Sequence, residues 1–202
     1  MLIKKAFSQA CENNRQPILG LLSSIFANTK CVLEVGSGTG QHAVFFASKL
    51  PHLVWQTSDL ECNHDTITAW INDYPSSNLR YPLLFDARST AWPYNLVDGL
   101  FSANICHIMA WPSLVNFFEQ LPTILAPSAI LVVYGPFKYG GEFTSVTNAE
   151  FDYRLKKNLS YQGIRNFESI NELAKNSELG LIADHAMPAN NRLLVWRYEP
   201  ST

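Results

Sequence analysis

The sequence predicts a doubly wound α/β fold of the Rossmann type, whose sheet is mostly parallel and closes with a C-terminal antiparallel hairpin. Three observations carry this prediction. Short apolar runs alternate with stretches of helical period along most of the chain. A glycine run, Gly36-Ser37-Gly38-Thr39-Gly40, stands where the first strand hands over to a helix. The last two apolar runs, Leu181 to Met187 and Leu193 to Tyr198, are joined only by Pro188-Ala189-Asn190-Asn191. No parallel crossover fits in so few residues, so this pair must be antiparallel.

Taken in order, the first element is a helix with apolar residues at Ile18, Leu21, Leu22, Ile25 and Phe26, the spacing of one face. Cys31 to Val35 is a short strand stopped by the glycine loop, and Gln41 to Leu50 is the helix opening after it. Leu53 to Ser58 is a second strand, followed by a helix over Glu61 to Tyr74. Leu79 to Phe85 and Leu100 to Ile105 are strands three and four. Ser113 to Leu125 is a helix with Ser113 as its N-cap, because a side-chain oxygen there can accept an orphan N–H. Ile130 to Tyr134 is the most strand-like segment of the chain. Short apolar strands alternating with helices imply a parallel sheet covered on both faces.

Composition bounds the rest. The 202 residues suffice for a single domain with a sizeable core, with residues 1–29 as an N-terminal helical segment and 135–180 as a lid-like insertion. An apolar fraction of 47% with 16% charged residues belongs to an ordinary globular protein. The net charge of -2 exerts no pull toward nucleic acid or acidic membranes. Four scattered cysteines without a C-x-x-C pair suggest a reducing compartment. The opening run MLIKKAFSQACENNRQ lacks a signal-peptide apolar core, and no run approaches the ~20 apolar residues of a membrane span. The expectation is a cytoplasmic protein with no membrane or nucleic-acid partner.

The glycine run carries the chemistry. Glycines at the carboxyl end of a strand let a ligand approach the backbone closely. The dinucleotide fingerprint G-x-G-x-x-G fails, because Gln41 stands at its third glycine. G-x-G-x-G instead matches the nucleoside-binding loop of S-adenosylmethionine enzymes. On that basis Glu34, Gly36, Ser37, Gly38, Thr39, Gly40 and His42 are candidate cofactor residues. Asp59 closes the second strand about 20 positions on, where an acidic residue can accept both ribose hydroxyls. It can equally cap the helix that starts near Glu61, and both roles can coexist. Leu60 beside it, Asp86 and Ala87 after the third strand, and Asn104 after the fourth complete the set, with Asp86 placed for an adenine amino group or for solvent.

From about Ala10 to Arg197 the chain resembles a family of small methyltransferase-like proteins of unassigned substrate, found in bacteria and animals. The resemblance lies in Glu12-Asn13-Asn14-Arg15-Gln16-Pro17-Ile18-Leu19, Val32 to His42, Trp55-Gln56-Thr57-Ser58-Asp59, Tyr134-Gly135-Pro136-Phe137, Asn148-Ala149-Glu150-Phe151-Asp152 and Met187-Pro188-Ala189-Asn190-Asn191. One position departs: Asn13 stands where the family pattern has Arg. The resemblance implies a seven-stranded methyltransferase sheet and S-adenosylmethionine as cofactor. A fold alone does not establish a reaction.

Methyl transfer asks the protein mainly for alignment, and for a base only when the acceptor arrives protonated. Candidates therefore belong near the ends of strands four and five. His107 is a candidate base or a histidine packed below Trp111, and Tyr134 an acceptor-orienting hydroxyl or a core aromatic. Segment 135–180 is far longer than the usual connection of about 4–6 residues. It is expected to form the acceptor pocket, with Gly140-Gly141 as a hinge and Asn148 and Asp152 sharing one helical face. Asn190 and Asn191 either reach the acceptor or merely shape their turn. The candidate catalytic residues are His107, Tyr134 and Asp152; the candidate acceptor-binding residues are Tyr134, Asn148, Asp152, Asn190 and Asn191. Cys62-Asn63-His64-Asp65 lacks a second ligand pair, so no metal is expected. Three functions compete: methyl transfer to a small molecule or short peptide, a non-catalytic S-adenosylmethionine-binding partner subunit, and a nicotinamide-dependent oxidoreductase that Gln41 disfavours.

Overall fold

The computed structural model describes residues 5–89, 92 and 96–200. Its elements run α1 (Gln9–Ile25), β1 (Cys31–Val35), α2 (Gln41–Lys49), β2 (Val54–Asp59), α3 (Glu61–Asp73), β3 (Leu79–Leu84), β4 (Val97–Ala103), α4 (Trp111–Gln120), β5 (Leu125–Gly135), β6 (Phe137–Tyr139), β7 (Glu142–Phe143), α5 (Val146–Asn158), β8 (Arg165–Asn166), α6 (Phe167–Asn176), β9 (Leu179–Met187) and β10 (Asn191–Tyr198). Seven strands form one sheet in the order β3-β2-β1-β4-β5-β10-β9, and β7-β6-β8 form a small second sheet. This is the doubly wound α/β sheet with a C-terminal antiparallel pair. The chain divides into two compact units, Met1–Asp86 with Val97–Ser102, and Ala87–Leu96 with Ala103–Thr202. Among the described residues no helix is long and apolar enough to cross a membrane.

In the first unit β1 pairs in parallel with β2 and β4, and β2 in parallel with β3. Phe46, Trp55 and Phe101 make a buried aromatic triangle with ring centroids 5.4 to 5.7 Å apart, within the range in which tilted and edge-to-face rings attract. Helix α1 buries Ile18 and Leu22, and Phe26 at its C-cap continues the i, i+4, i+8 spacing, as the periodicity predicts. It starts well before that periodic stretch, at Gln9, because Ser8 Oγ accepts the Cys11 N–H at 3.3 Å and caps it. The first half of α1 is held by polar contacts, which leave no apolar period to read.

In the second unit β10 pairs antiparallel with both β5 and β9, a bulge at Ile182 interrupting the β9 edge. Helix α4 begins at Trp111, so Ser113 lies inside it and is not its cap. Pro112 occupies the first turn, where its missing N–H costs nothing. Strand β4 ends at Ala103 because Asn104 turns into the left-handed region, with φ of 64°. The segment between β5 and β9 holds the small sheet, α5 and α6. Gly140 and Gly141, with φ of 56° and 86°, are the two-residue turn of the β6–β7 hairpin, where Tyr139 pairs with Glu142. They shape a tight turn, the kind that needs positive φ twice.

Gly99 on β4 has no room for a side chain: a Cβ there would stand 2.8 Å from Thr29 Cγ2 and 3.0 Å from Val32 Cγ2. Gly99→Ala should lower stability by about 1–3 kcal/mol, the usual scale of overpacking. A chemical denaturation midpoint equal to the wild type's would show that Thr29 and Val32 yield freely.

Candidate functional site

The glycine loop is held from below by one carbonyl. The N–H groups of Gly36 and Ser37 both donate to Ser58 O at 3.0 Å, which ties the end of β1 to β2. Gly38 and Gly40 have φ of 58° and 90°, but for different reasons. A Cβ on Gly40 would meet Ile67 Cα at 3.0 Å and Trp70 Cβ at 3.3 Å, so that glycine is needed where α3 packs on the loop. A Cβ on Gly38 would meet nothing within 4 Å. Gly38 faces open space, the condition for a ligand to lie against its backbone.

Asp59, at the end of β2, is buried and gathers donors from three sides. Its Oδ2 accepts the Gly38 N–H at 2.7 Å, and its Oδ1 accepts the Leu60 N–H at 2.7 Å and Asn63 Nδ2 at 2.8 Å. A carboxylate offers about four acceptor positions, so the loop and the start of α3 are held while capacity remains. Asp59 thus braces the start of α3 without capping it, since Leu60 is the N-cap and no side chain caps the helix, and the ribose role stays open. Leu60 beside it is 41% exposed, an apolar surface next to a fixed carboxylate. The Asp59 carbonyl accepts the Phe85 N–H at 2.9 Å, which brings the half-buried Asp86 to the end of the neighbouring strand.

Glu34 lies under the loop, not on its open side. Its Oε2 accepts the Ser37 hydroxyl at 2.9 Å and the Trp55 indole N–H at 3.1 Å. Complete burial pushes its carboxyl up to about 7, partly offset by these two hydrogen bonds. His42 is on the buried face of α2, with Nε2 2.7 Å from Asn14 Oδ1 and its ring stacked on Phe46 at 5.1 Å. Burial, with the Arg15 charge adding, lowers it to about 4. Glu34 braces the loop from below, and His42 ties α2 to α1.

The remaining candidates lie in the second unit. Ala87 is buried, and its carbonyl accepts Asn116 Nδ2 at 2.6 Å. Asn104 N–H donates to Tyr134 O at 2.7 Å, and Tyr134 itself is 2% exposed within β5. His107 is buried edge-on to Phe151, centroids 5.2 Å apart, and its carbonyl accepts the Gly163 N–H at 2.9 Å. Burial pushes its ring down to about 4, with the Arg165 charge adding, so it is neutral at pH 7. Its Nδ1 is buried and has no hydrogen-bond partner among the described residues. Such an atom carries a desolvation cost of about 1–3 kcal/mol until something bonds to it.

Asp152 and Asn148 share one buried face of α5, as their spacing predicts, yet both are engaged structurally. Asp152 Oδ1 accepts the Ile164 N–H at 2.8 Å and Oδ2 meets Lys156 Nζ at 2.5 Å. Asn148 Nδ2 donates to Thr144 Oγ1 at 2.9 Å and to Asn190 O at 3.1 Å. Asn191 Nδ2 donates to Pro188 O at 3.2 Å and shapes its own turn, whereas the Asn190 side chain is exposed on a left-handed backbone, φ 57°. Among the described residues no three metal-binding side chains are grouped to hold an ion.

Two further residues shape the site. Gln41, which breaks the dinucleotide motif, has a buried carboxamide that joins the loop to α1 through Ser8 and Glu12. Arg165 organises the segment after β4, donating to the carbonyls of Cys106 at 3.1 Å, Met109 at 2.6 Å and Tyr161 at 2.7 Å. The run Glu12 to Leu19 was the signal available for the first; nothing local marked the second.

The chain belongs to the DUF938 family, described as proteins of unknown function, whose model matches residues 5–198. Among solved structures it is similar to an O-methyltransferase family protein from Burkholderia thailandensis, at 16% identity and TM-score 0.77 over 93% of this chain and 57% of that one. It is also similar to the O-methyltransferase NcsB1 from neocarzinostatin biosynthesis, solved with S-adenosyl-L-homocysteine and 1,4-dihydroxy-2-naphthoic acid, at 16% identity and TM-score 0.76 over 95% and 55%. A family 2 O-methyltransferase from Planctomyces limnophilus, solved with apigenin, matches at 12% identity and TM-score 0.73 over 91% and 61%. This chain spans a little over half the length of these neighbours, and what it shares with them is the methyltransferase fold.

The raised carboxyl of Glu34 gives a pH signature. A folded pKa near 7 against an ordinary 4.5 means that its stability contribution is full below about 4.5 and is lost as pH rises to 7. Relative to Glu34→Gln, the wild type should therefore lose on the order of 2–3 kcal/mol between pH 4.5 and pH 8, read from denaturation at each pH. Parallel stability curves would show that Glu34 is not buried in this way.

Proposed function

We propose that the protein is an S-adenosylmethionine-dependent methyltransferase acting on a hydroxyl of a small molecule or short peptide. The observation that carries this reading is the open face of Gly38 beside the Asp59 carboxylate, which receives the Gly38 N–H at 2.7 Å. Exposed backbone, a fixed carboxylate and the apolar Leu60 suit a nucleoside that carries no pyrophosphate. In this reading Asp59 holds the ribose, Leu60 packs on the nucleoside and Asp86 serves the base. When bound, the cofactor supplies an already activated methyl group. The solved neighbours with dihydroxynaphthoic acid and apigenin bound support a small hydroxylated acceptor.

The protein's own task is then to orient the acceptor and to remove its proton. His107 is neutral at pH 7, and its buried Nδ1 lacks a partner among the described residues. It takes the acceptor hydroxyl proton as the oxygen becomes nucleophilic. Asp152 acts through others: it holds Ile164, next to the Gly163 N–H that fixes the His107 carbonyl. Asn148 likewise holds the Asn190 turn, leaving the exposed Asn190 carboxamide to contact the acceptor.

Calorimetry should show binding of S-adenosylmethionine or S-adenosyl-L-homocysteine and none of NAD; the reverse result would sink the reading. Asp59→Ala should weaken that binding by about 1–3 kcal/mol, the scale of hydrogen bonds to a charged group. Once an acceptor is found, His107→Gln should lower kcat roughly 10²- to 10⁴-fold while cofactor affinity stays unchanged. The wild-type rate should hold from pH 7 downward and fall only as pH drops through about 4, where His107 becomes charged. Full activity in His107→Gln would place the base elsewhere.

A further inference from the structure

The residues before α1 form a belt around the outside of the glycine loop. The Lys5 ammonium pairs with Asp73 and lies 4.0 Å from the centre of the Trp70 ring. Ala6 donates its N–H to Thr66 Oγ1 at 2.9 Å and accepts the Trp70 indole N–H at 2.7 Å. Ser8 donates its N–H to Gln41 Oε1 at 2.5 Å and accepts from Gln41 Nε2 at 3.3 Å. Residues 5–8 are thus fastened first to α3 and then to the residue that ends the loop. Trp70 is also one of the residues that a Cβ on Gly40 would strike. Belt, α3 and loop close on one another through the same side chains.

Gln41 is where the circuit meets the loop. It is 1% exposed, and its carboxamide is filled: Oε1 also accepts the Thr39 hydroxyl at 3.1 Å, and Nε2 also donates to Glu12 Oε1 at 2.8 Å. Two acceptor positions and two donors are the whole capacity of an amide. Thr39 Oγ1 in turn accepts the Gln41 backbone N–H at 3.3 Å, so its rotamer is set by the same residue. Beyond the contacts at Gly36 and Ser37, the far half of the loop therefore has two side-chain anchors, Asp59 at Gly38 and Gln41 at Thr39.

We infer that Gln41 is a positioning residue for the cofactor, and that the belt of residues 5–8 holds the last turn of the glycine loop in its binding conformation. This rests on the reading of the loop as a sulfur-nucleoside site. Loss of the Gln41 amide frees Thr39 and lets the loop sample other conformations, which lowers affinity by reducing the share of molecules in the binding conformation.

The test uses the full chain with S-adenosyl-L-homocysteine as probe. Gln41→Ala should raise its Kd about tenfold, the scale of one or two buried hydrogen bonds. In the free protein the Gly38 and Gly40 amides of that variant should exchange with solvent about tenfold faster. Gln41→Glu sets a carboxylate against Glu12, so its affinity should recover as pH falls and the new carboxyl regains a proton to donate. Adding Glu12→Gln should recover it at neutral pH. If Gln41→Ala does not fold, Trp70→Phe keeps an aromatic ring while removing the belt's indole hydrogen bond and part of the surface under Lys5, and should speed the same two amides by a smaller factor. Unchanged exchange with unchanged Kd, or a Gln41→Glu affinity that ignores both pH and Glu12→Gln, overturns the belt. A wild type that binds no sulfur nucleoside overturns the cofactor reading instead, and the exchange rates of the free protein then judge the belt alone.

Discussion

Asp59 and Gly38 are joined by one hydrogen bond of 2.7 Å, and the geometry of the first unit follows from it. Three glycines with positive φ within five positions would be mobile in isolation. They are held because the carboxylate is itself immobile, braced by Leu60 N–H and Asn63. The carboxylate is in place because β2 pairs in parallel with β1 in a register that sets Val35 against Ser58. A slip of one residue would turn Asp59 to the other face of the sheet and leave the loop without its donor–acceptor pair. Glu34 below and Gln41 outside complete the bracing, so the loop is supported on every side but the one that Gly38 leaves open.

The second unit holds its loops by gathering main-chain groups. Arg165 takes three carbonyls, Gly163 takes a fourth at His107, and Asp152 takes the Ile164 N–H. The segment after β4 is thereby fixed against β8 and α5. The outcome is a neutral histidine; like Asn166 Oδ1, its buried Nδ1 has no hydrogen-bond partner among the described residues. Folding gains nothing from that atom, since an apolar side chain of the same shape would avoid its desolvation cost.

The two units also divide the candidate residues by kind. Those proposed for the cofactor belong to the first unit; all those proposed for the acceptor belong to the second. Several residues that share a chemical type differ in what they do. Glu34 Oε2 and both Asp152 oxygens hold partners within the fold, while Asp59 combines a structural task with remaining capacity.

Much of the architecture was legible in the sequence, because sheet strands and buried helix faces leave periodic apolar patterns and glycines mark positive φ. The strands around the loop, the closing hairpin and the place of Asp59 at the end of β2 were all readable in that way. The boundaries of α1 and α4 were not. The start of α1 is secured by Ser8 and Gln41 rather than by apolar contacts, and α4 opens with a proline whose absent N–H matters only in three dimensions. The site divides along the same line. Gly38 and Asp59 stand 21 positions apart in a recurrent strand–loop–helix–strand pattern, so their type and separation identify them. Whether Asp152 is free to act or bound to Ile164, and whether the His107 ring nitrogen has a partner, depends on residues more than ten positions away in sequence. Hydrogen-bond satisfaction is a property of distant neighbours brought together by packing. The sequence by itself determined which groups this protein carries, and the tertiary structure alone decided which of them are left unoccupied.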